Sequence, residues 1–289
     1  MQLTRLGIWA GQFRTGDRAE ARDAFSELDE LGYGALWVPG GGSNDILEVA
    51  SDLLDAAPRI VFATGILNVW MHDPADVGLR YAEITAAHAG RLLLGLGVSH
   101  ASMVEANTGR AYERPLQVMV EFLDALEVAD SPVPPRERVL AALGPRMLEL
   151  ARDRSLGAHP YCVPPEHTRR ARGILGPDAL LAPELKVVLE TDPERARSIA
   201  RAHLQRYLEA PNYTRNLLRL GFTEGDLSHG GSDHLVDSLV AWGTPEVARS
   251  RFEEHLIAGA DHVCVQVLTE DATSFPLEEW RTLAGVLIS

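Results

Sequence analysis

The stretch FATGILNVW (residues 62–70) begins as a buried strand and then changes character. Gly65 interrupts the apolar run, and Asn68, Trp70 and His72, which are residue types that bind ligands, follow it. A glycine inside a strand marks a bulge or a site where another group approaches the main chain. What this stretch does therefore depends on its place in the fold.

Segments with strand character recur along the whole chain, and helical patterns separate them. The eight candidates are LTRLGIWA (3–10), GALWVPG (34–40), RIVFATGI (59–66), RLLLGLGVSH (91–100), RVLAALG (138–144), LGAHPYCV (156–163), PELKVVLE (183–190) and DHVCVQVLT (261–269). This alternation implies parallel pairing through right-handed crossovers. An open doubly wound sheet would also produce it, but eight repeats in fewer than 300 residues favour a closed (β/α)8 TIM barrel, an α/β fold.

Helix boundaries are marked by capping residues. Asp17 and Asp73 precede helical patterns as N-caps, and Pro74 occupies the first helical position after Asp73. Gly32 stands where glycine commonly ends a helix, and Asp192 is a third N-cap.

One connection is much longer than the others. Residues 207–243, between strands seven and eight, contain two helical patterns joined by the glycine-rich SHGGSD. This segment is too short to bury its own core. We therefore predict a helical insertion near the barrel mouth, within a single domain that spans residues 1–289.

Charge and cysteine content narrow the functional classes. With 27 basic and 41 acidic side chains, the chain has a formal net charge of −14, which argues against nucleic-acid or acidic-membrane partners. Cys162 and Cys264 are far apart on strand-like segments and are expected to be reduced core thiols. No signal peptide or membrane-length apolar run is present, so a soluble cytoplasmic protein is expected.

The active site of a TIM barrel forms at the carboxyl ends of its strands. Here these ends are rich in glycine and aromatic residues, and Glu190 is the one carboxylate there, whereas glycosidases need two opposed acids. No histidine, aspartate and glutamate grouping has metal-ligand spacing, so no metal site is predicted. The pattern favours a site that holds a flat, polar ligand against main chain.

The segment ALGPRMLELA (142–151) indicates where an anion could bind. A strand ends at Gly144, Pro145 takes the first helical position, and Arg146 stands beside free backbone N–H groups. Helix N-termini bind phosphate through such donors and the helix dipole. An ordinary strand-to-helix turn with a surface arginine explains the same residues.

Several motifs together resemble one known superfamily. GYGALWVP, FATGILN, GRLLLGLGVSH, ALGPRMLELA, YCVPPEHTRRARGILGP and GADHVCVQVL occur in the order seen in the luciferase-like monooxygenase superfamily. They look most like its branch of oxidoreductases that depend on the deazaflavin coenzyme F420. The resemblance runs from residue 4 to about residue 285.

This resemblance implies a cofactor that lies across the strand ends. Members commonly have a bulge at the end of strand three, with a non-prolyl cis peptide bond that supports the ring and maps onto Gly65–Ile66. A plain bulge at the barrel rim explains the same glycine. The resemblance places the cofactor phosphate at Gly144, Pro145, Arg146 and Met147.

Further site residues follow from the same comparison. Gly65, Ile66, Asn68, Gly97 and Ser99 are predicted to contact the cofactor, and an apolar substrate pocket is predicted around Trp9 and Trp70. Trp37 is expected in the core.

The catalytic assignments are His72 and His100. His100 could equally be a hydrogen-bonded loop histidine, and a helix cap already explains the surroundings of His72. Relatives usually carry an acid or a histidine just after strand two, where this chain has Gly40. A proton must therefore come from His72, His100, another group or water.

The leading hypothesis is an F420-dependent oxidoreductase that moves a hydride between the deazaflavin C5 and a small organic substrate. An FMN-dependent monooxygenase and a cofactor-binding barrel without turnover are the alternatives. Relatives are often dimers, so a homodimer is expected.

Overall fold

The computed structural model describes residues 3–40 and 45–288, which form one ten-stranded parallel sheet surrounded by helices. The strands are β1 Leu6–Trp9, β2 Ala35–Gly40, β3 Val61–Asn68, β4 Leu92–Gly97, β5 Arg138–Leu140, β6 Gly157–Ala158, β7 Leu180–Leu181, β8 Glu184–Val188, β9 Val240–Trp242 and β10 Val263–Val267.

The helices lie between the strands and after the last one. They are α1 Gln12–Thr15, α2 Arg18–Leu31, α3 Ile46–Leu54, α4 Pro74–Ala87, α5 Ala101–Thr108, α6 Pro115–Glu127, α7 Pro145–Arg154, α8 Pro165–Leu175, α9 Pro193–Leu208, α10 Pro211–Leu220, α11 Glu224–Leu227, α12 Asp233–Leu239, α13 Pro245–Ile257 and α14 Leu277–Leu287. None of the helices in the described ranges is both long and apolar enough to cross a bilayer.

The sheet closes into the predicted barrel. Strands β1 to β7 neighbour one another in chain order, and β1 also pairs with β10, which pairs with β8. Only Ala182 and Pro183 separate β7 from β8. The Ala182 amide donates to the Ala158 carbonyl in β6, and the Pro183 carbonyl accepts from the Cys264 amide in β10. The extended segment 180–188 therefore joins the two ends of the sheet, and the predicted TIM barrel is confirmed.

Alternation along the strands separates the barrel interior from the surface that the helices cover. In β2, Ala35 and Trp37 belong to the interior cluster, whereas Leu36 and Val38 belong to the core beneath the helices. This follows from the two-residue period of a strand. Trp37 is completely buried, as expected, and Cys264 is a free thiol in the same interior.

The capping residues act as their sequence positions predict. The Asp17 carboxylate accepts hydrogen bonds from two first-turn amides of α2, and Asp73 caps α4 in the same way. Asp192 accepts one such bond, from the Arg195 amide, at the start of α9. Gly32 ends α2 with φ = 92°, a left-handed conformation that glycine adopts without steric cost.

Some strand assignments differ from the sequence prediction. The helical pattern that ends in AWG includes Val240–Trp242, which instead forms β9 and pairs with Lys186–Val188 of β8. Strand β7 (Leu180–Leu181) was not predicted, and β5 and β6 are shorter than their predicted segments. Short apolar runs fit a strand or a helix equally well, so pairing with a neighbour decides between them. The helices α10, α11 and α12 lie between β8 and β10, as the predicted insertion requires.

Candidate active site

A cavity of about 700 Å³ opens at the carboxyl ends of the barrel strands. Its wall comes from the ends of β1 to β4, from the segment after β6, from β10 and from α9 and α10. It includes Trp9, Gly65, Asn68, His100, Tyr161 and Gln266. This is the face of the barrel where the sequence predicts the active site.

The bulge in β3 forms one part of this wall. The peptide bond between Gly65 and Ile66 is cis, as the resemblance implied. The pairing register between β3 and β4 shifts between Ala63 and Leu67. Across the shift, the Thr64 hydroxyl donates to the Gly95 carbonyl at 2.7 Å and accepts from the Gly95 amide at 2.8 Å. This side chain therefore replaces the ladder hydrogen bonds that the bulge interrupts.

Two glycines on neighbouring strands leave room for the bulge. A Cβ atom at Gly97 would lie 2.5 Å from Cγ1 of Ile66, and one at Gly40 would lie 2.6 Å from the Ile66 carbonyl oxygen. Both distances are well below van der Waals contact. The Ile66 main chain thus occupies the space that a side chain at position 40 would need. Gly40 therefore avoids a collision with the bulge in this chain; Gly41 and Gly42 lie outside the described residues.

Asn68 offers a hydrogen-bond donor to a ligand beside the bulge. Its side-chain oxygen accepts a hydrogen bond from the Trp70 main-chain amide at 3.1 Å, and this bond does not use the side-chain nitrogen Nδ2 of Asn68. This residue is 1% exposed, and its Nδ2 has no hydrogen-bond partner among the described residues. Buried polar atoms of this kind are almost always paired, so a ligand or a water molecule is expected there.

His100 and Ser99 lie on the same wall, after β4. Ser99 has a positive φ of 56°, and its carbonyl accepts from the Tyr112 hydroxyl at 3.1 Å. Burial, together with the positive charge of Arg206, lowers the pKa of His100. The imidazole is therefore neutral at pH 7 and can accept a proton.

The opposite wall contains a hydrogen-bonded group centred on Tyr161. Its hydroxyl lies 2.7 Å from Oε1 of Gln266, 2.9 Å from the Tyr207 hydroxyl and 3.3 Å from Nε2 of His203. Arg206 approaches Nδ1 of His203 at 3.2 Å, and because a guanidinium only donates, Nδ1 is an acceptor and Nε2 carries the hydrogen. Tyr161 therefore accepts from His203 and donates to Gln266.

Behind Tyr161 lies a buried ion pair that the sequence analysis missed. Lys186 Nζ is 2.7 Å from Oε2 of Glu184 and 3.9 Å from the centre of the Tyr161 ring. The two charged side chains are 0% and 1% exposed, and the Cys162 amide donates to the same carboxylate oxygen. Two opposite charges spaced by two residues in the apolar segment PELKVVLE were the available sequence clue, because alternate residues of a strand share a face.

Trp70 and His72, two of the predicted side chains, do not line this cavity. Trp70 donates from Nε1 to the Val98 carbonyl at 3.0 Å, and its ring packs 5.6 Å from that of Tyr112. His72 is partly buried near Asp45 and Arg80, and burial lowers its pKa. Their predicted roles stay predictions. Trp9, Gly65, Ile66, Asn68, Ser99 and His100 do line the cavity.

The predicted phosphate site at Gly144–Met147 also lies outside the lining of this cavity. As predicted, Gly144 is the N-cap of α7 and Pro145 its first residue; Arg146 is exposed. Arg219 of α10 approaches this turn, with Nη1 3.5 Å from the point where a Cβ of Gly144 would lie. Two arginines thus flank an exposed helix start, a geometry suited to an anion.

Comparison with known proteins identifies relatives of this architecture. A family model described as luciferase-like monooxygenase matches residues 3–262. No curated protein matches the sequence.

Three solved structures illustrate the likeness in fold. The first is an F420-dependent secondary alcohol dehydrogenase in complex with an F420–acetone adduct, with a TM-score of 0.77 and 14% identity over 99% of this chain and 98% of that chain. The second is the coenzyme F420-dependent tetrahydromethanopterin reductase of Methanopyrus kandleri, with a TM-score of 0.73 and 14% identity over 99% of both chains. The third is the oxygenating constituent of 3,6-diketocamphane monooxygenase of Pseudomonas putida in complex with FMN, with a TM-score of 0.71 and 14% identity over 100% of this chain and 97% of that chain.

Proposed function

The chain belongs to the luciferase-like monooxygenase family, and we propose that it is an F420-dependent oxidoreductase acting on a small organic substrate. The observation that carries the proposal is the cavity wall at Gly65–Ile66, where main chain and an unpartnered buried amide of Asn68 face the same space. A flat heterocycle with ring oxygens matches this wall. The likeness in fold to two F420-dependent enzymes supports the choice of cofactor.

The residues of the wall would hold such a cofactor in a defined orientation. Ile66 would support one face of the ring, and Asn68 Nδ2 would donate to a ring oxygen. Arg146 and the first turn of α7 would bind the phosphate. When bound, the deazaflavin supplies the C5 position that accepts or donates a hydride, and the protein contributes orientation and exclusion of water.

His100 is the residue that would exchange a proton with the substrate. It lines the cavity, and the described part of the chain gives its ring no hydrogen-bond partner. By contrast, the acceptor nitrogen of His203 is already used by Arg206. Gly40 has no side chain that could exchange a proton. We therefore propose that His100, and not a side chain after strand two, exchanges the proton.

An FMN-dependent monooxygenase is the second candidate, because the Pseudomonas putida structure with the same fold binds FMN. A barrel that binds cofactor without turnover is the third, because Gly40 replaces a residue that relatives use. The three differ in oxygen consumption and in turnover, which makes them separable.

Separate titrations with F420 and FMN test the proposal. We expect F420 to bind more tightly, and Arg146→Ala to weaken its binding by about 1–3 kcal/mol through loss of a charged hydrogen bond. Arg152→Ala, at the other end of α7, is the matched control and should leave the affinity unchanged.

Turnover experiments then separate the three functions. Rapid substrate-dependent oxygen uptake with reduced FMN would overturn the F420 assignment. Tight F420 binding without turnover over a broad panel of alcohols, imines and enes would favour the barrel without activity.

A further inference from the structure

Two buried polar atoms on the cavity floor have no partner among the described residues. They are Nε1 of Trp9, at the end of β1, and Nε2 of His159, just after β6. The two residues are 7% and 1% exposed, and both line the cavity. Because buried polar atoms are almost always hydrogen-bonded, this pair indicates a site for a polar group.

Both atoms flank the same point, the missing side chain of Gly65. A Cβ atom there would lie 2.8 Å from Nε1 of Trp9 and 3.5 Å from Nε2 of His159. Gly65, Trp9 and His159 all line the cavity, so this point lies in its wall. Any larger residue at position 65 would fill part of this space.

The two atoms have opposite hydrogen-bonding roles. An indole N–H can only donate. His159 Nδ1 lies 2.7 Å from the carbonyl oxygen of Ala182, which can only accept, so Nδ1 carries the hydrogen and Nε2 is an acceptor. Burial lowers the pKa of His159 to about 4, which keeps this tautomer neutral at pH 7. Stacking on Trp37, with ring centres 4.2 Å apart, fixes the ring orientation.

A group that accepts one hydrogen bond and donates another satisfies both atoms, and a hydroxyl is such a group. We propose that Trp9 Nε1 and His159 Nε2 bind the hydroxyl of an alcohol substrate beside Gly65. A ketone oxygen can only accept, so it satisfies Trp9 and leaves His159 unpaired. The Tyr161 ring, 5.1 Å from that of Trp9, provides an apolar contact for the carbon skeleton. In naming the substrate class, this inference rests on the proposed oxidoreductase function.

Binding of three probes of similar shape to the cofactor-free protein tests the pair. Cyclohexanol can donate and accept, cyclohexanone can only accept, and methylcyclohexane can do neither. The chain has five tryptophans, so its ¹H–¹⁵N spectrum has five indole signals, and Trp9→Phe assigns the one from Trp9. We expect cyclohexanol to shift this signal downfield and to bind about tenfold more tightly than methylcyclohexane, with cyclohexanone between them.

Single substitutions separate the two hydrogen bonds. Trp9→Phe removes the donor, so cyclohexanone should lose its preference over methylcyclohexane, whereas cyclohexanol keeps the hydrogen bond that it donates to His159. His159→Phe keeps a ring beside Trp37 and removes the acceptor, so cyclohexanol and cyclohexanone should then bind equally. Trp242→Phe is the control, because Trp242 donates to Asp237 outside the cavity and its loss should not change probe binding.

His159→Phe also loses the bond to Ala182; if it does not fold, the native titrations and Trp9→Phe decide. Equal affinities for the three probes, or a Trp9 signal that F420 or FMN shifts and cyclohexanol does not, would overturn the proposal. Because these titrations need no cofactor, a protein that binds cyclohexanol in this way but fails to bind F420 refutes the proposed function and not the hydroxyl site.

Discussion

The buried ion pair between Lys186 and Glu184 gives the sharpest prediction for stability. Lys186→Met removes the positive charge and preserves most of the apolar length of the side chain. It leaves the Glu184 carboxyl, 1% exposed, with the Cys162 amide as its remaining hydrogen-bond donor. Burial raises the pKa of Glu184, and Lys186 opposes that shift. The substitution therefore leaves a group that must remain charged at a high cost or bind a proton.

The expected loss follows from the burial of both partners. Breaking a buried ion pair by removing one partner costs about 3–5 kcal/mol. The contact of Nζ with the Tyr161 ring, at 3.9 Å from its centre, is lost as well and contributes to that figure. Adding Glu184→Gln removes the stranded charge and retains an oxygen for the Cys162 amide. We therefore expect the double variant to regain about 2 kcal/mol relative to Lys186→Met alone.

Urea unfolding at pH 7, followed by circular dichroism, measures these differences in the free energy of unfolding. When the dependence on urea concentration keeps the same slope, a lower midpoint means a less stable variant. Arg18→Met is the control, because the Arg18–Glu48 pair has side chains 69% and 62% exposed and its loss should leave the midpoint unchanged. A loss below about 1 kcal/mol in Lys186→Met, or a double variant no more stable than the single one, would refute this account of the pair.

Two further predictions concern a buried histidine and the β3 bulge. Burial, with the charges of Arg251 and His167, lowers the pKa of His255 to about 3. Below pH 6.5 the unfolded chain therefore binds a proton that the folded protein does not. As a result, the free energy of unfolding falls by about 1.4 kcal/mol per pH unit as the pH drops toward 3. His255→Leu with Thr168→Val, which removes both partners of a 2.9 Å hydrogen bond, should reduce this slope in urea unfolding between pH 6.5 and 4.5; an unchanged slope would contradict the assignment. Gly40→Ala places a Cβ 2.6 Å from the Ile66 carbonyl oxygen and should lower the melting temperature and weaken cofactor binding, at a packing cost of about 1–3 kcal/mol. Gly173→Ala, where nothing beyond the chain neighbours and the backbone of its own helix lies within 4 Å of the new Cβ, is the matched control; equal behaviour of the two variants would show that the bulge adapts.

Local sequence patterns were sufficient for several helix starts and for the barrel. Asp17 and Asp73 cap their helices because an aspartate side chain reaches the free amides of the first turn whatever surrounds it. The barrel followed from the repeated alternation of strand and helix, which parallel pairing requires. These features depend on residues that are near one another in the chain.

Strand boundaries in the last third of the chain could not be predicted in the same way. Val240–Trp242 is a strand because β8 offers it an edge to pair with, and nothing within the segment itself indicates that edge. The local sequence pattern also does not indicate the break between β7 and β8 at Ala182 and Pro183. It allows one extended segment to pair with β6 and then with β9, while its other side pairs with β10.

In the candidate site, too, some residues could be predicted from local sequence and others could not. Gly65, Asn68 and His100 could be selected from the sequence, because they follow strands and the fold brings strand ends together. Distant residues in the chain determine the roles of His159, Tyr161 and Lys186. The Tyr161 hydroxyl, for example, donates to Gln266, 105 residues later.

The sequence alone determined the fold class, the helix caps and the rim where ligands should bind, since these depend on short-range periodicity and on residue type. Only the tertiary structure decided which polar atoms are buried without a partner, because burial and hydrogen bonding depend on distances between segments that the order of residues does not specify. The placement of Trp9 and His159 beside Gly65 is of this second kind, since the three residues come from β1, β3 and the segment after β6.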